Sequence, residues 1–324
     1  MKKKKKFLHY FSNSIDLLLS FVIVPAAYLL LFFRRYGGAC LPRTNNRLKE
    51  IGVYPIRDNY YDPLFNNKHL HKMLDEDREL PGIDLNIEKQ ITFLSKLQCA
   101  DELKSMNLEK PVRSSHDFYM GNGSFESGDA EFLYQIIRYL KPSKIIEIGS
   151  GNSTKIARLA LKQNEVESRK ITKHICIEPY EQPWLDYLSG ITLIRERIEK
   201  LQFHWKNELA EGDLLFIDSS HMIRPQGDVL MEYLQIIPKL AKGVYVHVHD
   251  IFTPKDYLKR WIIDDVLFWN EQYLLEALLT DTKKYEVVAA LNYLKHHHYD
   301  ALQNVCPYLS TERQPGSFYF KVSL

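Results

Sequence analysis

Lys144-Ile-Ile-Glu-Ile-Gly-Ser-Gly-Asn-Ser-Thr154 carries an apolar strand straight into a turn with glycines at 149 and 151, and a helix-compatible stretch, Lys155 to Leu161, follows. A strand, a glycine turn and a helix in that order form a cradle for a nucleoside-bearing cofactor. Small residues let the backbone approach the ligand, and the helix start points free N–H groups at it. The next apolar run, His174-Ile-Cys-Ile-Glu-Pro179, ends on Glu178, at a distance suited to ribose hydroxyls. Glu147 lies inside the first strand, two residues before Gly149, and Thr154 stands where a dinucleotide fingerprint has its third glycine. A glycine turn by itself is as often an ordinary tight turn, so the surrounding elements have to agree with it.

They alternate. Apolar runs predict strands at 144–149, 174–178, 191–196, 213–218, 243–249, 285–291 and 316–322, and helical spacing falls near 129–140, 153–163, 182–188, 227–240 and 256–279. This order implies an α/β fold: a Rossmann-like, seven-stranded, mainly parallel sheet with helices on both faces, its ligands beyond the carboxyl ends of the strands. The last two strands, with no helix expected between them, predict an antiparallel hairpin at the sheet edge.

Two strand ends gather groups able to do chemistry. Asp213-Leu-Leu-Phe-Ile-Asp-Ser-Ser-His221 closes the fourth strand and Val244-Tyr-Val-His-Val-His-Asp-Ile251 the fifth, bringing Asp218, His221, His249 and Asp250 together. His247 shares a face with His249 by strand alternation and, being deeper, reads as structural. Phe118, Tyr119 and Phe125, ahead of Ser127-Gly-Asp129, suit either a cofactor cover or core packing. Trp269-Asn-Glu-Gln-Tyr-Leu-Leu275 reads as a helix whose polar face could line an acceptor site, and His296 to His298 as a solvated loop.

The segments IIEIGSGNSTKIA, HICIEPY, GDLLFIDSSH and GVYVHVHDIF, in that order and spacing, resemble the class I S-adenosylmethionine-dependent methyltransferases, and within them the small-molecule and sugar O-methyltransferase branch called type 24. The resemblance covers about residues 115–324. It implies that Glu147, Gly149, Ser150, Gly151, Asn152 and Ser153 form the cofactor loop, with Ser153 replacing the last glycine of the acid-x-Gly-x-Gly-x-Gly pattern. It further implies that Glu178 binds the ribose and that Asp218 ends beside the sulfonium. Methyl transfer to an oxygen needs alignment and removal of a proton, so His221, His249 and Asp250 are the candidate catalytic groups. Catechol-type relatives hold a divalent cation at the ends of the same two strands. Asp218, His249 and Asp250 are the matching candidate ligands here, although Ile251 stands where those relatives place an amide ligand. The implied acceptor is a sugar, glycolipid or related small-molecule hydroxyl. The rival readings are a metal-dependent hydroxylase or lyase on the same fold, and a membrane-tethered protein that binds cofactor or partner without turnover.

The chain has 324 residues, a net charge of +2 and four cysteines without CxxC spacing. That charge gives no pull toward nucleic acid, and the cysteines suggest no disulfide framework. Leu17 to Phe33 is apolar apart from Ser20 and Pro25, preceded by Lys2–Lys6 and followed by Arg34-Arg35. It makes about 25 Å of helix, slightly short of a bilayer core. No small-x-small site precedes the arginines, which disfavours a cleaved signal. The expected organisation is therefore a membrane anchor over 1–35 (residues 15–35 in the bilayer), a connector and helical cap over 36–115, and the catalytic domain over 116–324. Basic residues flank both ends of the anchor, so a spanning helix and a re-entrant one broken at Pro25 both stay open. Because the cofactor is made in the cytoplasm, the catalytic domain is expected to face it. The sequence leaves a homo-oligomer open.

Overall fold

The computed structural model describes residues 2–37, 40–63, 66–110 and 114–324, with side chains from residue 14 onward. Gly38, part of the expected connector, lies outside the described residues. The chain forms two compact units, Met1–Lys72 and Met73–Leu324.

The first unit contains α1 (Lys2–Tyr36) and α2 (Pro42–Ile51). α1 runs unbroken through Pro25, so the break that a re-entrant anchor needs there is not found. One lost hydrogen bond is outweighed by helix propagating on both sides. Ser20 satisfies its hydroxyl on Leu17 O at 2.7 Å. Within α1, Ser14–Tyr36 is long and apolar enough to cross a membrane, with a mean hydropathy of 2.3. Tyr60 and Tyr61 are almost fully exposed.

In the second unit α3 (Ile87–Leu94) and α4 (Ala100–Ser105) precede α5 (Asp129–Leu140). The sheet then alternates with helices: β1 (Lys144–Ile148), α6 (Asn152–Ser168), β2 (Lys173–Ile177), β3 (Thr192–Ile194), α7 (Trp205–Glu208), β4 (Leu214–Ile217), α8 (Asp228–Met231), β5 (Tyr245–Val248), α9 (Glu271–Leu279) and β6 (Tyr285–Ala290). α10 (Leu291–His297) and α11 (Tyr299–Val305) lead to β7 (Phe318–Val322). Strand order is β3-β2-β1-β4-β5-β7-β6, with β7 antiparallel to both neighbours.

Three expectations need correction. The last two strands pair antiparallel, but two helices separate them, because the apolar positions Leu291, Leu294, Leu302 and Val305 follow helical spacing and are buried. His296 and His297 therefore end a helix instead of lying in a loop. The long helix over 256–279 is a short π-helical turn, Arg260–Asp264, and then α9, which starts only at Glu271.

Strand alternation divides the core. Ile145, Leu214 and Phe216 face a layer that includes Phe132, Ile136, Ile156 and Tyr319. Ile146, Ile148, Leu215 and Ile217 face the opposite layer with Val246, Tyr233, Ile236 and Leu275. Each such buried side chain contributes about 1.5–3 kcal/mol. α3 belongs to this body: Phe93 and Leu94 join the first layer, and Gln90 accepts from Ala290 N at 2.8 Å.

Candidate functional site

Parallel pairing places four strand ends side by side, and the ladder continues one residue past them. Glu178 N donates to Ile194 O, Gly149 N to Ile177 O, Asp218 N to Ile148 O and His249 N to Ile217 O, at 2.8–3.1 Å. Glu178, Gly149, Asp218 and His249 thus form one row along the carboxyl edge of the sheet.

Gly149 has φ +80°, and a Cβ there would stand 1.7 Å from the Asp218 carbonyl oxygen. The turn and the β4 end touch so closely that only glycine fits. Gly151 is different: it is extended, and a Cβ there would meet no atom within 4 Å. Its open side faces a cavity of about 520 Å³, lined among others by Gly149, Ser150, Asn152, Glu178 and Asp218. Ser153 also lines it.

Glu147, expected among the cofactor-contacting residues, is absent from that lining. Its buried carboxylate accepts from Ser153 Oγ at 2.5 Å and Thr154 Oγ1 at 2.9 Å, and lies 3.0 Å from His174 Nε2. It locks the start of α6 beneath the cavity. Here Ser153, in place of the last glycine of the acid-x-Gly-x-Gly-x-Gly pattern, has a function, supplying a hydroxyl that ties helix to strand. Glu178 accepts from Tyr180 N and Glu181 N through Oε1, both at 2.9 Å, and from Ser150 N through Oε2 at 3.3 Å.

Asp218 joins the cavity to a buried charged cluster. Its Oδ1 lies 3.3 Å from His221 Nε2 and 3.4 Å from His249 Nδ1. Asp250 stands 3.5 Å from each imidazole. Both turn residues hold left-handed backbone, with φ 57° at His221 and 59° at Asp250, which aims them inward. Burial opposes ionisation of Asp218, but His249 and His221 outweigh it and hold its pKa well below the ordinary carboxylate value. Burial likewise opposes charge on the imidazoles. Even so, hydrogen bonds donated to Asp218 and Glu271 raise His221, and the Asp250 and Asp218 carboxylates raise His249, both well above the usual value. Burial pushes the Asp250 carboxyl up against the pull of the same histidines.

Two members of the cluster were not named as site residues by the sequence reading. Glu271, fully buried, sits 2.8 Å from His221 Nδ1 and accepts from Tyr233 Oη at 3.0 Å. Asp129 Oδ2 lies 3.7 Å from His249 Nε2, while its two oxygens accept from Gly316 N and Ser317 N. Glu271 was read only as part of the polar face of Trp269–Leu275, and Asp129 only as the end of Ser127-Gly-Asp129, because an acid at a helix start usually serves the helix. Trp269 lies against His221, ring centres 4.3 Å apart, and Phe125 lies 4.9 Å from His249 while lining the cavity. His247 is in the core, bonded to Ser317 Oγ at 2.8 Å and stacked on Tyr319.

Asp218, His249 and Asp250 each offer one ligand atom, all within 4.8 Å of one another. His249 Nδ1 is buried without a hydrogen-bond partner in good geometry, although two carboxylate oxygens stand near it. An unpartnered nitrogen beside two carboxylates fits a divalent cation.

The family profile described as "Methyltransferase domain" matches residues 146–251. A protein of Archaeoglobus fulgidus whose function is uncharacterised is 30% identical over 178 residues, which are 51% of this chain and 77% of that protein. Among solved structures, an O-methyltransferase from Bacillus cereus in complex with SAH is similar at 13% identity and a TM-score of 0.37, covering 72% of this chain and 91% of its own. A structure titled cmcI-N160 SAH is similar at 14% and 0.38, covering 69% and 91%. Both structural likenesses are distant. With the strand order, the glycine turn and the domain match in agreement, the chain belongs to the class I S-adenosylmethionine-dependent methyltransferases, in the type 24 branch.

Proposed function

We propose that the chain is an O-methyltransferase that binds S-adenosylmethionine in the cavity at Gly149–Ser153 and methylates a hydroxyl presented to the Asp218–His221–His249–Asp250 cluster. The observation that carries this reading is that Asp218 belongs to both places: the residue lines the cavity, and its carboxylate contacts both histidines. Bound there, S-adenosylmethionine supplies an electrophilic methyl group. The open side of Gly151 would admit it, Glu178 would hold its ribose hydroxyls, and Asp218 would offset its positive charge. Removing Glu178 deletes a charged acceptor worth about 1.5–3 kcal/mol. Glu178→Ala is therefore expected to weaken cofactor binding about 10- to 100-fold in calorimetry. Failure of the unaltered protein to take up the cofactor would overturn the assignment.

A divalent cation held by Asp218, His249 and Asp250 would lower the pKa of the acceptor hydroxyl and orient it. The unpartnered His249 Nδ1 favours this over a cation-free site. His221, with Nδ1 toward Glu271 and Nε2 toward the cluster, is then the imidazole left to take the hydroxyl proton. An added cation would repel a proton on His221 and draw the carboxylates away from it. Chelation is expected to lower methyl transfer at least tenfold, with recovery on adding back a divalent metal and no change in cofactor affinity. Full activity in chelator, with no metal found by elemental analysis, would leave the histidines alone to do the work.

The apolar Ser14–Tyr36 helix supports an anchored enzyme, and the place of cofactor synthesis supports a cytoplasmic catalytic unit. An acceptor on a sugar or glycolipid follows from the anchor and the family branch. Labelled methyl groups should then appear in the lipid extract of membranes holding the protein; label only in water-soluble products would exclude the glycolipid.

A further inference from the structure

We propose that the first unit holds the phosphate of an anionic phospholipid where α1 leaves the bilayer. This rests on the reading of α1 as a membrane helix. A cavity of about 560 Å³ lies between the end of α1 and the strap Pro55–Asn59. Its helical wall is Ala27, Leu30, Leu31 and Arg34, one face by the i, i+3, i+4, i+7 rule, with Arg35 beside it. The same end of the helix is the part the unit covers: Leu30 and Leu31 are half-buried and Phe33 is buried, whereas Leu17 to Val24 are exposed for lipid.

The charges make the site amphipathic. Arg34, Arg35 and Arg57 line it, against one acid, Asp58. Asp58 is already engaged by Lys68 at 3.2 Å and His69 at 3.4 Å. Arg34 and Arg57 share a single carboxylate, Asp62, at 3.0 and 3.6 Å. Arg35 has no ion-pair partner among the described residues. The helix C-terminus carries partial negative charge, so the attraction for an anion comes from the guanidiniums. Cationic forks above an apolar wall match a phosphodiester with its acyl chains running down the helix: the fork binds the oxygens, and Ala27, Leu30 and Leu31 meet the hydrocarbon. Free phosphate would satisfy the arginines and leave that wall in water.

The full chain in detergent is offered phosphatidylglycerol or phosphatidylcholine, and retained lipid is read by native mass spectrometry. Phosphatidylglycerol is expected to be kept about tenfold better, and the preference to vanish in an Arg35→Ala, Arg57→Ala double variant that leaves the Arg34–Asp62 pair in place. Equal retention of both lipids, an unchanged preference in the variant, or displacement by millimolar inorganic phosphate would each overturn the site. Flotation on neutral phosphatidylcholine vesicles reads insertion of α1 separately. Failure there overturns the anchor, whereas lipid retention in detergent reads the arginines.

Discussion

Gly149→Ala is expected to abolish methyl transfer and to lower the Tm of the second unit by roughly 10 °C. The new Cβ would stand 1.7 Å from the Asp218 carbonyl oxygen, and the positive φ adds strain. The obstacle is backbone, so no side chain can swing away. The turn or the end of β4 must move, and either displaces Asp218 from the cofactor. Gly151→Ala is the matched control. Its Cβ meets nothing within 4 Å, so the Tm should stay within a degree or two while cofactor affinity falls about tenfold or more. Thermal melts and calorimetry on the pair separate a glycine needed by the chain from one needed by the ligand. Equal melting losses for both variants would refute that division.

Asp218→Asn is expected to reduce kcat by about a thousandfold. The change keeps the shape and removes the charge that holds two buried histidines at the cavity's edge. Burial leaves those imidazoles little water to fall back on, so Asp250, with Glu271 at His221 and Asp129 at His249, must then compensate them. If a cation occupies the cluster, the variant also loses one of its ligands. Steady-state rates with a defined acceptor, together with metal content, check this; a loss below tenfold would remove Asp218 from the reaction.

Much of this arrangement was legible in the sequence, for physical reasons. The parallel strands announce themselves because a strand buried on both faces must be apolar throughout, as in Leu214–Ile217. The strand ends follow, and with them the row from Glu178 to His249. The strand-to-strand path near the C-terminus was misread because α10 and α11 are one or two turns each, too short for periodicity to establish. Glu147 sits in the family pattern, yet its direction depends on which hydroxyls lie beneath it, and Ser153 and Thr154 give that away only in three dimensions. Asp129 and Glu271 reach the cluster from helix starts far along the chain, and no spacing rule connects them to His249 or His221.

The strand Phe318–Val322 lies between Tyr245–Val248 and Tyr285–Ala290 rather than outside them. During synthesis the two older strands therefore wait with open edges, unable to join each other, until residue 322 has cleared the ribosome. Asp129, some 190 residues earlier, receives its partners Gly316 and Ser317 at that same moment. A nascent chain stopped short of this point keeps two sticky edges and a carboxylate without its donors, a state for chaperones to shelter.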